Sequence, residues 1–192
     1  SLGSRPIWLA ASTREGEEPS ILDAFVRLDP PGLLLLLVPR HPQRFNEVAA
    51  LIEARKLPFC RRSEGRLPSP ETRVWLGDSM GEMPAYFAAA DIALMGGTLL
   101  PFGGQNLIEA AACGCPVLVG PHTYNFAQAT EDALDCGAAQ RVADAAHAAA
   151  SVKTLLADTK ALQAMRESGL RFSQAHRGAT ARTIALVKEF LA

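Results

Sequence analysis

No apolar run in these 192 residues approaches the ~20 needed to cross a bilayer, and the longest candidate, 33–38 (LLLLLV), has only the length of a strand. A membrane-spanning helix is therefore not expected. Positive charge is not in excess either: 19 Lys and Arg stand against 20 Asp and Glu, a formal net charge of −1. That balance argues against a general nucleic-acid binder, whose surface needs a dense surplus of cations to neutralise phosphates. A compact anion held by one or two arginines remains open. Cysteine is sparse, with Cys60, Cys113, Cys115 and Cys136 only, and Cys113-Gly-Cys115 has no second pair to complete a tetrahedral zinc site. The four are expected to be core thiols of a protein from a reducing compartment, with no metal. The first strand-to-helix turn, 12–18, lacks the G-x-G-x-x-G spacing of an NAD-binding domain. Internal repeats are absent, and the only compositional bias is alanine in the later helices, which helix propensity and close packing explain.

What the chain does have is 48% hydrophobic residues, enough for one globular unit with a sizeable core. Its most informative stretch is 96–120, GGTLLPFGGQNLIEAAACGCPVLVG. The apolar run 91–95 before it reads as a strand covered on both faces. Gly96-Gly97 then offers backbone amides to a ligand with no Cβ in the way. Gly103-Gly104 repeats the device before a helix over 105–112, whose unpaired N–H groups suit a phosphate, with Glu109 one turn inside. The plainer alternative is that both glycine pairs close turns.

The rest of the chain alternates in the same way. Residues 7–11 form a short apolar strand ending in Ser12-Thr13, which either cap the helix that runs to Leu28 or meet a ligand. The run 33–38 is a second buried strand, and it ends in Pro39-Arg40-His41-Pro42. Arg40, set between prolines at the carboxyl end of a central strand, can hold a phosphate or carboxylate in a fork, or be one charged residue of a surface turn. Residues 58–61 and 137–142 read as edge strands, 63–72 as an exposed loop and 73–76 as a strand. The turn 77–82 leads into a helix over 84–90, where Met80, Gly81 and Glu82 either offer backbone groups to the edge of a base or close the turn, with Glu82 complementing the helix dipole. Beyond the loop 120–126, with His122, the pattern is helical over 146–156, 160–172 and 180–191. Strand and helix alternate about six times, so an α/β fold is expected: a Rossmann-like parallel sheet with helices on both faces and a helical carboxyl-terminal part over 143–192. The polar and glycine clusters then converge on one rim of the sheet.

Six of these clusters in order, STREGEE (12–18), VPRHP (38–42), GDSMGE (77–82), GGTL (96–99), GGQNLIE (103–109) and GPHTYNF (120–126), resemble the carboxyl-terminal half of 3-deoxy-D-manno-octulosonic acid (Kdo) transferases. The resemblance covers essentially the whole chain. It implies the second, donor-binding domain of a GT-B glycosyltransferase, with CMP-Kdo as sugar nucleotide and the lipid A precursor of lipopolysaccharide as acceptor. It places donor-nucleotide contacts at Pro39 and Arg40, at Met80, Gly81 and Glu82, and at Asn106, Leu107, Ile108 and Glu109. Contacts to the phosphate or sugar are expected at Ser12, Thr13, Gly97, Gly104 and His122. Neither cofactor nor metal is implied. Gln105 and Leu107-Ile108 depart from the family's histidine and proline-leucine pair. The general base, the acceptor site and the membrane contact belong, in the family, to an amino-terminal domain expected to precede Ser1, and the whole protein to the cytoplasmic face of the inner membrane. Related alternatives are another GT-B enzyme, such as a UDP-sugar transferase or 2-epimerase, and a non-catalytic nucleotide-binding module.

Overall fold

The structure, a computed structural model, describes residues 5–29 and 31–176. Strands and helices alternate along them: β1 (Ile7–Thr13), α1 (Glu17–Leu28), β2 (Leu34–Pro39), α2 (Phe45–Ala54), β3 (Phe59–Arg61), β4 (Val74–Leu76), α3 (Met83–Ala89), β5 (Ile92–Met95), α4 (Leu107–Ala112), β6 (Val117–Val119), α5 (Ala127–Asp135), β7 (Ala139–Arg141), α6 (Ala145–Ala157) and α7 (Thr159–His176). The helix expected over 180–191 lies outside the described residues.

The strands form one sheet in the order β3-β4-β2-β1-β5-β6-β7, and every adjacent pair is parallel. The expected parallel sheet, with its two short edge strands, is the observed one. Strand alternation decides which side chain meets which layer. Ile7, Leu9 and Ala11 of β1 join one core with Phe87 of α3, Leu107 of α4 and Ala133 of α5. Trp8 and Ala10 join the other with Phe25 of α1, Ile52 of α2 and Val152 of α6. Both faces are therefore covered, which is why the central strands read as unbroken apolar runs rather than alternating ones. Helix α7 closes the end of the sheet, with Phe172 in the first core and Leu162 and Met165 against the second.

Several local expectations need correction. Neither Ser12 nor Thr13 caps α1, whose N-cap is Gly16 at φ 87 with no side-chain hydrogen bond. Helix α4 begins at Leu107, two residues later than expected, because Asn106 takes the N-cap and its Oδ1 accepts from Ile108 N at 3.1 Å. Of the cysteines, Cys60 and Cys115 are core thiols, and burial pushes the Cys115 thiol up to about 12. Cys113 is only half-buried, and Cys136 at the end of α5 is exposed.

Candidate functional site

The chain steps from β1 outward through β2, then returns to place β5 on the other side of β1. Helix α1 covers one face and α4 the other, so the loops after β1 and β5 part at the carboxyl edge and leave a crevice between them. A pocket of about 240 Å³ opens there, lined by Ser12, Arg40, Met83, Phe87, Met95, Gln105, Asn106, Glu109 and Phe126. Four positions singled out in the sequence, Ser12, Arg40, Asn106 and Glu109, thus meet at one place although they span almost 100 residues of chain.

The chemistry of this pocket is that of an anion site with an apolar wall. The Arg40 side chain is exposed and makes no ion pair among the described residues, while its backbone N–H donates to Thr13 O at 3.0 Å. Opposite it, the amides of Gln105, Asn106 and Leu107 have no hydrogen-bond acceptor among the described residues. Asn106 Nδ2 donates to Glu109 Oε1 at 3.1 Å, which orients that exposed carboxylate at the start of α4. Ser12 sits at φ 55, a left-handed conformation uncommon for a serine, where β1 bulges out of register with β2. Met83, Phe87 and Phe126 supply the apolar side.

The remaining candidates fall elsewhere. Pro39 is buried as the last residue of β2, and Leu107 anchors α4 in the core at 2% exposure, so it can meet a ligand only through its backbone. Ile108 packs half-buried against the same core. Met80 is exposed and Gly81 takes φ 79 with open space beside it. The Glu82 side chain is already engaged by Arg62 at 2.8 Å, Ser79 and Tyr86, and the Ser79 hydroxyl above all holds its carboxyl below the usual range. His122 lies apart in the β6–α5 loop, beside Thr123 and Arg141.

Thr13, the first glycine pair and Gly104 are expected to meet a ligand, and their hydrogen bonds run within the protein instead. The Thr13 hydroxyl donates to Glu18 Oε1 at 2.8 Å. Gly96 N donates to Ala11 O at 2.7 Å, Gly97 N to Glu17 Oε2 at 2.7 Å, and Gly104 N to Gly97 O at 2.8 Å. These amides are not free for a phosphate. The acceptor for Gly97, Glu17, is fully buried and accepts as well from Leu99 N at 3.0 Å and Arg14 N at 2.8 Å. Burial keeps the Glu17 carboxyl above its ordinary 4.5, against the opposing pull of the Gly97, Arg14 and Leu99 amides and with Glu18 pushing the same way. Glu18, equally buried, is paired with Arg44 at 2.6 Å. Sequence reasoning missed this pair. Two acidic residues in the first turn look like ordinary dipole complements, and only the absence of a capping side chain at Gly16 hints that one carboxylate folds back.

A larger depression, of about 400 Å³, lies between α3 and residues 62–67. The rim pocket is preferred on chemistry: it has an unpaired cation, unfilled amides and a strained residue at the switch point, whereas the cations lining the other are paired with Glu82 and Glu64. Among the described residues, no three His, Cys, Asp or Glu side chains gather as a metal site.

The family profile "Glycosyl transferases group 1" matches residues 33–172. A 3-deoxy-D-manno-octulosonic acid transferase of Bordetella pertussis is 48% identical over 97% of this chain, and one of Haemophilus influenzae is 41% identical over the same share. The chain spans 45% and 44% of those two proteins. Among solved structures, the C-terminal CMP-Kdo binding domain of WaaA from Acinetobacter baumannii superposes with a TM-score of 0.87 at 32% identity, covering 90% of this chain and 91% of that one.

Proposed function

The chain belongs to the group 1 glycosyl transferases, and from that membership we propose that it is the donor-binding domain of a Kdo transferase, taking CMP-Kdo for transfer to the lipid A precursor in lipopolysaccharide biosynthesis. The observation that carries this reading is the convergence of an unpaired Arg40, the open amides of 105–107 and the Asn106-oriented Glu109 on one pocket at the switch point. The likeness over nearly the whole chain to two Kdo transferases and to a CMP-Kdo binding domain supports it.

In this reading the amides at the start of α4 and the Arg40 guanidinium receive the donor phosphate, and Glu109 accepts hydrogen bonds from the ribose hydroxyls. Since the Glu82 side chain is engaged by Arg62, the Met80–Glu82 segment would read cytosine through its backbone. Fixed N–H dipoles and a cation stabilise the phosphate as it departs, so no divalent ion is required. The sugar lies toward Ser12. At about 240 Å³ the pocket is smaller than the roughly 300–1,000 Å³ of an enclosed small-molecule site, as suits one wall of a cleft between two domains. The general base, the acceptor site and the membrane contact, at the cytoplasmic face of the inner membrane, are assigned to an amino-terminal domain. The chain of 192 residues is accordingly expected to bind donor nucleotide without transferring sugar.

Titrating the chain with CMP, UMP and UDP while mapping amide chemical shifts tests site and ligand together. CMP is expected to bind tightest and to perturb residues 12, 40 and 105–109. The Arg40→Ala variant should bind it about tenfold or more weakly, the worth of a hydrogen bond to a charged group. A preference for UDP would move the chain to the UDP-sugar enzymes, and shifts confined to other residues would remove the site.

A further inference from the structure

We propose that Arg14 is the group that pairs with the carboxylate of the donor sugar, a role that rests on the CMP-Kdo reading above. Arg14 follows the Ser12 bulge in the β1–α1 loop, and its guanidinium lies over the Phe102 ring at 4.7 Å from the centroid. No carboxylate is within ion-pair distance of it among the described residues, and Arg40 next door is equally unpaired. The other arginine at the carboxyl edge of this half of the sheet, Arg141, is paired with Glu131 at 2.6 Å.

The seat of Arg14 is built rather than incidental. Its N–H donates to the buried Glu17 carboxylate at 2.8 Å, and its carbonyl accepts from Glu17 N at 3.1 Å, so the peptide groups on both sides of its Cα are fixed. The side chain crosses over Gly97: a Cβ there would stand 3.4 Å from Arg14 Cγ and 3.4 Å from Phe102 Cβ. Because Arg40 N donates to Thr13 O at 3.0 Å, the two cations rise from loops hydrogen-bonded to each other. Two like charges carried on adjoining backbones, neither guanidinium in an ion pair among the described residues, are balanced when a ligand brings two anions close together.

A CMP-activated 2-ulosonic acid does this. Its phosphate ester oxygen and its carboxylate are attached to the same carbon, so the anions are neighbours, as the loops that carry Arg14 and Arg40 are. Arg40, which lines the pocket with Asn106 and Glu109, takes the phosphate. Arg14, whose side chain passes over Gly97 to the Phe102 ring, takes the carboxylate in its planar fork. A donor whose sugar carries no acid leaves Arg14 without a partner, which makes this residue a filter for acidic sugars.

The test compares dissociation constants of the chain for CMP and for CMP-Kdo by calorimetric titration, in the unsubstituted protein and in Arg14→Ala and Arg14→Met. The methionine retains a side chain against Phe102, and thermal unfolding of each variant reports whether the fold is kept. Both substitutions are expected to weaken CMP-Kdo relative to CMP by about tenfold to a hundredfold, the loss of a charge-assisted pair. A ratio unchanged in Arg14→Met, or an equal loss for both ligands, overturns the assignment. If the unsubstituted chain binds neither ligand, the donor reading itself fails, a result distinct from an unaltered ratio.

Discussion

Replacing Gly96 by alanine should cost the chain about 4 kcal/mol or more, at the extreme of single substitutions, and lower its melting midpoint by roughly 10 °C. The reason is backbone against backbone. A Cβ at Gly96 would overlap the Ser12 carbonyl and lie 2.6 Å from Thr13 Cα. Those atoms belong to the bulged end of β1, and Ala11 O and Gly96 N are tied by a 2.7 Å hydrogen bond, so neither chain can withdraw without breaking the sheet edge. The neighbouring Gly97 offers the contrast. It needs its glycine for a φ of 71, but a Cβ there meets nothing closer than 3.4 Å, so Gly97→Ala is limited to the left-handed strain of roughly 1–2 kcal/mol. Melting curves of the two variants decide the matter: equal and small losses would show that the close approach at Gly96 is relieved by movement and that the rim is softer than argued.

That contrast also shows how far the sequence carries. The GG pair was legible as a place where backbones come close, and the placement at the carboxyl edge followed from the order of strands and helices alone. What approaches Gly96 was not legible: it is the protein's own β1, not a ligand. The same distinction runs through the rest of the site. Continuous apolar runs such as 33–38 announce strands buried on both faces, and once the topology is a doubly covered parallel sheet, the meeting of Ser12, Arg40 and the start of α4 is fixed by the switch point. Side-chain partnerships across long separations leave no such periodic trace. Glu82 reads as a dipole complement to α3, yet its ion pair is with Arg62, 20 residues earlier. Glu17 reads as part of the first turn of a helix, yet two of its partners, Gly97 and Leu99, stand 80 and 82 residues away.

Glu17→Leu should be the other severe substitution, destabilising by roughly 3–6 kcal/mol, because it removes the acceptor of three buried or half-buried N–H groups at Arg14, Gly97 and Leu99, each costing about 1–3 kcal/mol when left unpaired. Glu17→Gln separates the hydrogen bonds from the charge. Its carbonyl oxygen can serve Arg14 and Gly97, where Oε2 now sits, but its amide group then faces the Leu99 N–H, donor against donor, so an intermediate loss is expected. The charge itself is visible through pH. Because burial raises the Glu17 carboxyl above 4.5, the folded chain holds this proton more tightly than the unfolded chain does. Its contribution to stability therefore falls as pH rises from about 4.5 through the raised value and is level beyond it. Asp23 and Glu47 act in the opposite sense: Arg55 and Arg44 hold them below 3.8 and 4.5, and the stability they add is lost only as pH drops beneath those values. Above about 4.5 the Glu17 slope therefore runs on after theirs has ended, and it should vanish in Glu17→Gln when unfolding midpoints are followed upward in pH from there. If the unsubstituted chain and Glu17→Gln instead run parallel as pH rises from about 4.5, burial does not hold the Glu17 carboxyl above its ordinary value, and its part in fastening the glycine loop is that of a hydrogen-bond acceptor alone.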